Sequence, residues 1–447
     1  MPLLSHAPHP AWQRLADANP AAFFPHNLEY SCPARGNWNI VHTGMLVPEA
    51  HQIYVCASGC LRGVILTAAE MGETYRRRFS TVELLERDLL LTDNEQLLID
   101  GVTDILEKLK KAQGLPPAVL LFTACFHHFI GTDLSYVYSK LRKRWPGIDF
   151  AECCMDPIRQ SKSLKPEERL RLEIARLWPE RSATPKRALC FGSNLPLSKD
   201  SEIQALCRSA GWELLDWTAC QTYADFRQLG SASLYIWQHP HTFPAIRWLT
   251  ENRQRRAIYL PQVWRSEELL QEFTELAEKL GLALPDFAPA QERALKAWQE
   301  LGKELGSLPI TLDYTFTLEP FSLARLLIEQ GFRLVRIYAD AVSPEAREDF
   351  LWLQEHAPDI ELWSAKHPDL RLSENRTLPG KSLALGQKAA YYTGTPYFVD
   401  IIDGAGITGW AGQERLARMI SEAARSPKDT QSLIARKGWG GPCALED

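Results

Sequence analysis

A chain of 447 residues is too long for one hydrophobic core, so two to four domains are expected. A hydrophobic content of 45% with 23% charged residues is that of an ordinary water-soluble globular protein, without the ~20-residue apolar run of a membrane helix. The net charge of -5 gives no general pull toward nucleic acid or an anionic membrane, so neither is expected as a partner. The opening "MPLLSHAPHPAW" has no basic region followed by an apolar run, which leaves no secretory signal to read. The expected location is therefore cytoplasmic, where thiols stay reduced.

Taken in chain order, "NWNIVHTG" and "HQIYVCASG" precede "CLRGVILTAAEMG". A long amphipathic helix follows, with Leu97, Ile99, Val102, Ile105, Leu106 and Leu109 at three- and four-residue spacing. It feeds "AVLLFTA", a near-continuous apolar run of the kind found in parallel strands buried on both faces. The helix "LSYVYSKLRKRWPG" then leads to the strand "IDFAEC". "LKPEERLRLEIARLWPERSATPK" reads as a charged helix and linker.

A second set of strands, "RALCFGSN", "WELLDWTACQ", "SLYIWQ" and "RAIYLPQVW", alternates with helices. A connector rich in Ala, Glu and Lys, "APAQERALKAWQELGKELG", runs to a third set: "LPITLDYT", "RLVRIYAD", "IELWSA", "KSLALG" and "PYFVDIID". Strands alternating with helices predict parallel sheets, so the fold class is α/β with three parallel-sheet domains in a row. The expected boundaries give domains at 1–185, 186–305 and 306–447.

Ten cysteines in a reduced compartment need another explanation than a disulfide framework. Cys190 and Cys207, in a strand and a helix, read as small buried hydrophobes, as does Cys220. Six cysteines fall in the first 154 residues, each near a glycine, a proline or a strand end. They are Cys32, Cys56, Cys60, Cys125, Cys153 and Cys154.

The segments "SCPARG" (Cys32, Gly36), "ASGCLRG" (Gly59, Cys60) and "TACFHHFIGTDL" (Cys125, Ile130, Gly131, Asp133) resemble the α/β subunits of nitrogenase component 1 and their relatives. Those relatives include the protochlorophyllide and methylthio-alkane reductases and the cofactor-assembly scaffolds. "QKAAYYTGTPYFVDIIDGAGITGWAGQERLARMI" is similar to the last βα unit of that family. The resemblance implies three Rossmann-like domains and an iron–sulfur cluster ligated by Cys32, Cys60 and Cys125, as [4Fe-4S] or as a P-cluster-like [8Fe-7S] group. It also implies a homologous component 1 subunit as partner, in a homo- or hetero-oligomer, and a separate homodimeric iron–sulfur ATPase as electron donor. The chain has no GxxxxGK[ST] phosphate loop of its own, in keeping with ATP hydrolysis by a partner.

Chemistry points the same way. Thiolates are the usual protein ligands of iron–sulfur clusters. Strand ends of an open α/β sheet converge on one crevice, so three cysteines 28 and 65 residues apart can meet there. Three thiolates from one chain leave a ligand to be supplied by a partner, and so imply a dimer. Cys56, four residues before Cys60, is a rival second ligand, an extra ligand or a core thiol. Of Cys153 and Cys154, adjacent on a strand, one is expected to face the crevice, either as a thiolate toward substrate or metal or as part of a tight turn at Asp156-Pro157.

His127 and His128, within a helical turn of Cys125, are either proton donors beside the cluster or satisfied structural histidines. Ile130 is expected to pack inward, Gly131 to permit close approach and Asp133 to cap a helix. His239 and His241 end a strand of the second set and are a metal pair or incidental. "SLYIWQHPHTF" has no cysteine and "DIIDGAGITGWAG" no histidine, unlike the residues that anchor the catalytic cofactor of molybdenum nitrogenase. The expected function is thus the cluster-binding subunit of a nitrogenase-like reductase, with a second metallocofactor left open. The alternative within the family is a scaffold for metallocluster assembly. Outside it stands a binding-protein or sugar-transferase type of α/β chain.

Overall fold

The computed structural model describes residues 11–24, 29–30, 32–34, 37–91, 93–156, 164–371 and 377–430. Gly36, Pro157, Ile158 and Cys443 lie outside them. In chain order the strands are β1 (Trp12–Arg14), β2 (His51–Cys56), β3 (Phe79–Glu83), β4 (Ala118–Ala124), β5 (Asp149–Met155), β6 (Arg187–Phe191) and β7 (Glu213–Asp216). They continue with β8 (Leu234–Trp237), β9 (Arg256–Tyr259), β10 (Ile310–Asp313), β11 (Leu334–Tyr338), β12 (Glu361–Trp363), β13 (Leu383–Leu385) and β14 (Phe398–Val399).

They form three sheets, with strand orders β3-β2-β4-β5, β7-β6-β8-β9 and β1-β12-β11-β10-β13-β14. The first two are wholly parallel. In the third only β1 runs antiparallel, pairing Trp12–Arg14 with Glu361–Trp363. The fold is mixed α/β with Rossmann-like parallel sheets.

By contact density the chain divides into two units. One contains residues 38–196 and 212–259, and with them the first two sheets. The other contains residues 1–37, 197–211 and 260–442, and with them the last sheet.

In the first sheet the side chains sort by alternation along each strand. Tyr54, Cys56, Leu120, Phe122, Ala151 and Cys153 share one apolar cluster with Leu61 and Ala68 of the helix Ser58–Glu70, and with Leu170 and Ile174 of the helix Pro166–Arg176. Ile53, Val55, Val119, Leu121 and Phe150 share another with the helices Asn94–Ala112 and Leu134–Arg144. Helices therefore cover both faces, and β4 is buried along its whole length, as its unbroken apolar run predicts.

Two segments differ from their sequence reading. The helix Pro166–Arg176 is charged in composition, yet it buries Arg171 and Glu173 along with its leucines. The Ala-, Glu- and Lys-rich connector is the helix Ala288–Leu305, which buries Trp298 and Leu301 in the core of the last sheet.

Candidate functional site

In the first sheet β2 is the first strand; β3 lies on one side of it and β4 on the other. The chain thus reverses its direction of winding between β2 and β4, which opens a crevice at their carboxyl ends. Val55 pairs with Thr123, so the two strands end level with each other. Cys56 is the last residue of β2, and Cys60 lies in the first turn of the helix Ser58–Glu70. Cys125 is the first residue of the short helix Cys125–Phe129, directly after β4.

All three thiols thus lie at the carboxyl ends of β2 and β4 or in the first turn of the helix that follows. Burial chiefly pushes the Cys56 thiol up to about 12, and the charges of Cys60 and Cys125 push the same way. Cys56 is buried, Cys60 exposed and Cys125 between the two.

The residues after Cys125 are arranged by short-range polar contacts. The backbone N–H of Ala124 donates to His127 Nδ1 at 3.2 Å. An imidazole that accepts at Nδ1 is neutral, and burial lowers the His127 pKa to about 4. His128 is exposed. Ile130 is 42% exposed instead of packing inward, because the helix ends there and turns its last residues to the surface. Gly131 takes a left-handed φ of 71°, with open space where a side chain would start; it ends a helix and accommodates no close neighbour. Asp133 caps the next helix, accepting from the Tyr136 N–H at 2.9 Å.

At the ends of β4 and β5 lies a cavity of about 420 Å³. His127, His128, Tyr138, Cys154, Asp156 and Arg169 are among its lining residues. Cys153 and Cys154 both touch it and both belong to β5, although Cys153 is fully buried and burial raises its thiol pKa well above the ordinary value. The outer edge of β5 is closed by arginines. Arg142 Nη2 donates to the Phe150 carbonyl at 3.3 Å, and Arg169 Nε to that of Glu152 at 3.1 Å. No sequence motif announced Arg169; it follows from the strand edge that needed a donor. Among the described residues, no three His, Cys, Asp or Glu side chains surround a single metal-ion position.

Residues 41–425 match the family described as nitrogenase component 1 type oxidoreductase. The chain belongs to this family. Two solved structures are similar in fold at 13% sequence identity, titled "Nitrogenase Cp1 at pH 6.5" and "Nitrogenase Cp1 at pH 5". The first has a TM-score of 0.63, over 90% of this chain and 93% of that one. The second has a TM-score of 0.55, over 90% and 89%. No curated protein sequence matches.

In this component 1 type chain Cys32 belongs to the unit that holds the last sheet. It is buried in a cluster with Tyr338, Trp363, Ala384 and Tyr392. Burial raises its thiol pKa, and the Lys388 charge opposes the rise. Lys388 Nζ donates to the Ala34 carbonyl at 2.8 Å. Asp313, at the end of β10, accepts from the Ala389 N–H at 2.8 Å. Cys207 is a core thiol, pushed up to about 12 by burial.

His239 and His241 lie at the carboxyl end of β8, with Arg171, which the sequence reading did not single out. Burial, and then the Arg171 charge, lowers the His239 pKa well below the ordinary value and that of His241 to about 3. Arg171 donates to the Gly192 carbonyl at 3.1 Å, to Glu167 at 2.7 Å and to Asn194 at 3.2 Å.

Proposed function

We propose that this chain is the iron–sulfur-cluster-binding subunit of a nitrogenase-like, ATP-dependent reductase. It takes low-potential electrons from a separate homodimeric iron–sulfur ATPase and passes them to a substrate or second cofactor. One observation supports the reading: Cys56 and Cys125 stand at the carboxyl ends of the neighbouring strands β2 and β4, where the first sheet reverses its winding, with Cys60 in the first turn of the helix after β2. The donor set fits the group, since it is made of thiols, two of them reachable from outside.

Cys60 and Cys125 are the ligands proposed from this edge; Cys32 is proposed as the third on its motif alone. A homologous component 1 subunit completes the ligand set. A bound cluster would store and pass on single electrons. The chain supplies the rest. Two buried strands fix the positions of the thiols, so little reorganisation accompanies electron transfer. The neighbouring cavity, with Arg169, Asp156 and Tyr138 on its wall, is the proposed substrate pocket. His127, neutral and fixed by Ala124, orients the short helix, and His128 carries protons toward that cavity.

The test is anaerobic isolation of the chain with iron and sulfide analysis, followed by electron paramagnetic resonance during incubation with the iron–sulfur ATPase and MgATP. The expected result is bound iron and sulfide that become reduced only when ATPase and nucleotide are both present. Colourless, iron-free protein would overturn the reading. Transfer of the cluster to another protein without any turnover would make the chain an assembly scaffold instead.

A further inference from the structure

At the other end of the first sheet from the cysteines, a cavity of about 700 Å³ opens where the chain enters β4 and β5. Seven residues of β4, roughly 23 Å of strand, separate that end from Cys125. Three helices end on the cavity, and each brings a cation in its last turn: Lys110 from Asn94–Ala112, Arg144 from Leu134–Arg144 and Arg227 from Tyr223–Gln228. One carboxylate, Glu49, stands against them on the wall, and it is taken up by the Tyr223 N–H at 2.7 Å.

The cations are short of partners. Among the described residues Lys110 and Arg144 have no hydrogen bond or ion pair. Arg227 Nη1 stays 4.0 Å from Asp149, whose Oδ2 already accepts from the Tyr223 hydroxyl at 2.8 Å, and Arg227 Nε is buried without an acceptor. A cation in the last turn offsets the helix dipole, but that gain needs no cavity and no meeting of three helices. We propose that this cavity binds a small organic phosphate ester, with Lys110, Arg144 and Arg227 on the phosphate and the apolar wall of Leu115, Pro116 and Pro117 against the organic body. The volume is that of a small-molecule site and far exceeds one inorganic anion, so an ester with an organic body is the class that fits. Arginine and lysine hold phosphate by charge-assisted hydrogen bonds and need no phosphate loop. The site does not depend on the cluster reading.

The experiment is calorimetric titration of the full chain, purified anaerobically and held at low salt. The probes are AMP and glucose 6-phosphate, their unphosphorylated counterparts adenosine and glucose, and inorganic phosphate. At least one ester should bind more tightly than both its unphosphorylated counterpart and inorganic phosphate. Lys110→Gln and Arg144→Gln should each weaken that ester about tenfold, the worth of one charge-assisted hydrogen bond. Lys143→Gln removes the same charge beside Arg144, at an exposed position off the cavity wall, and should leave the affinity unchanged.

No binding of either ester would overturn the inference. Inorganic phosphate bound as tightly as the esters would mean an adventitious ion only, and would overturn it equally. Equal weakening by Lys143→Gln would reduce the effect to general surface charge and overturn it too. A wild-type chain without iron that still binds the ester through Lys110 and Arg144 would defeat the cluster reading and support this one.

Discussion

The first and second sheets have the same topology and opposite contents. Each is a parallel four-stranded sheet in which the first strand of the set lies between the second and the third. Each therefore has a crevice at the carboxyl ends of its two middle strands. In the second sheet that crevice is plugged. Arg171, fully buried, ties Gly192, Glu167 and Asn194 together, and Asn194 Nδ2 donates to Thr43 Oγ1 at 3.0 Å. Gly192 adopts a φ of 109°, and a Cβ there would overlap the Thr242 hydroxyl. In the first sheet the same position holds an exposed cysteine and a half-buried one, and a cavity of about 420 Å³ opens next to it, at the ends of β4 and β5. Topology provides the crevice; the side chains decide whether it is filled by the protein or left for a ligand.

The comparison can be broken at its stronger end first. Arg171→Leu should cost about 4 kcal/mol in chemical denaturation, because it leaves the Glu167 carboxylate and the Asn194 amide without their cation. A loss below about 1 kcal/mol would mean that the second crevice is not held together by this arginine. Gly192→Ala should cost about 3 kcal/mol, from the left-handed φ and the overlap with Thr242 together. Gly131→Ala, with open space around it, should cost clearly less, and equal losses would remove the contrast.

Acid should weaken both sites, and the second more. His127, His239 and His241 are held neutral, with pKa values below the ordinary 6.5. For a base with a lowered folded pKa, the unfolded chain binds the extra proton. The stability is fully present above about pH 6.5 and is lost as pH falls toward the folded values, at up to about 1.4 kcal/mol per pH unit per histidine. Denaturation at pH 7 and pH 5 should show that His239→Asn/His241→Asn flattens this acid slope more than His127→Asn. The opposite order would contradict the placement of His239 and His241. The smallest expected effect is kinetic. His127→Gln/His128→Gln should lower turnover at least about tenfold while iron content is kept. Full turnover would leave both histidines with structural roles alone.

Much of this was legible in the residues. The alternation of apolar strands with amphipathic helices gave the three sheets, and "AVLLFTA" gave β4 to the residue. Asp133 was read as a helix cap from its place before "LSYVY", and it is one. Cys125 at a strand end was legible because an apolar run stops there. What stayed hidden depends on contacts distant in sequence. Nothing local tells that Trp12–Arg14 adds to the sheet of Glu361–Trp363, because three residues carry no periodicity of their own. Arg171 looked like one charge among many in "EERLRLEIAR"; its burial follows from acceptors that Gly192 and Asn194 bring to it. Ile130 was misplaced because apolar character alone suggests an inward position, and a short helix that ends at the surface overrides it.

The most direct test of the central claim is iron and acid-labile sulfide per chain, measured side by side in the anaerobically purified wild type, Cys125→Ala and Cys207→Ala. The first sheet's open crevice as a cluster site predicts bound iron and sulfide in the wild type and in Cys207→Ala, a core thiol, and their loss in Cys125→Ala. Iron retained unchanged in Cys125→Ala, or absent from the wild type, would contradict it.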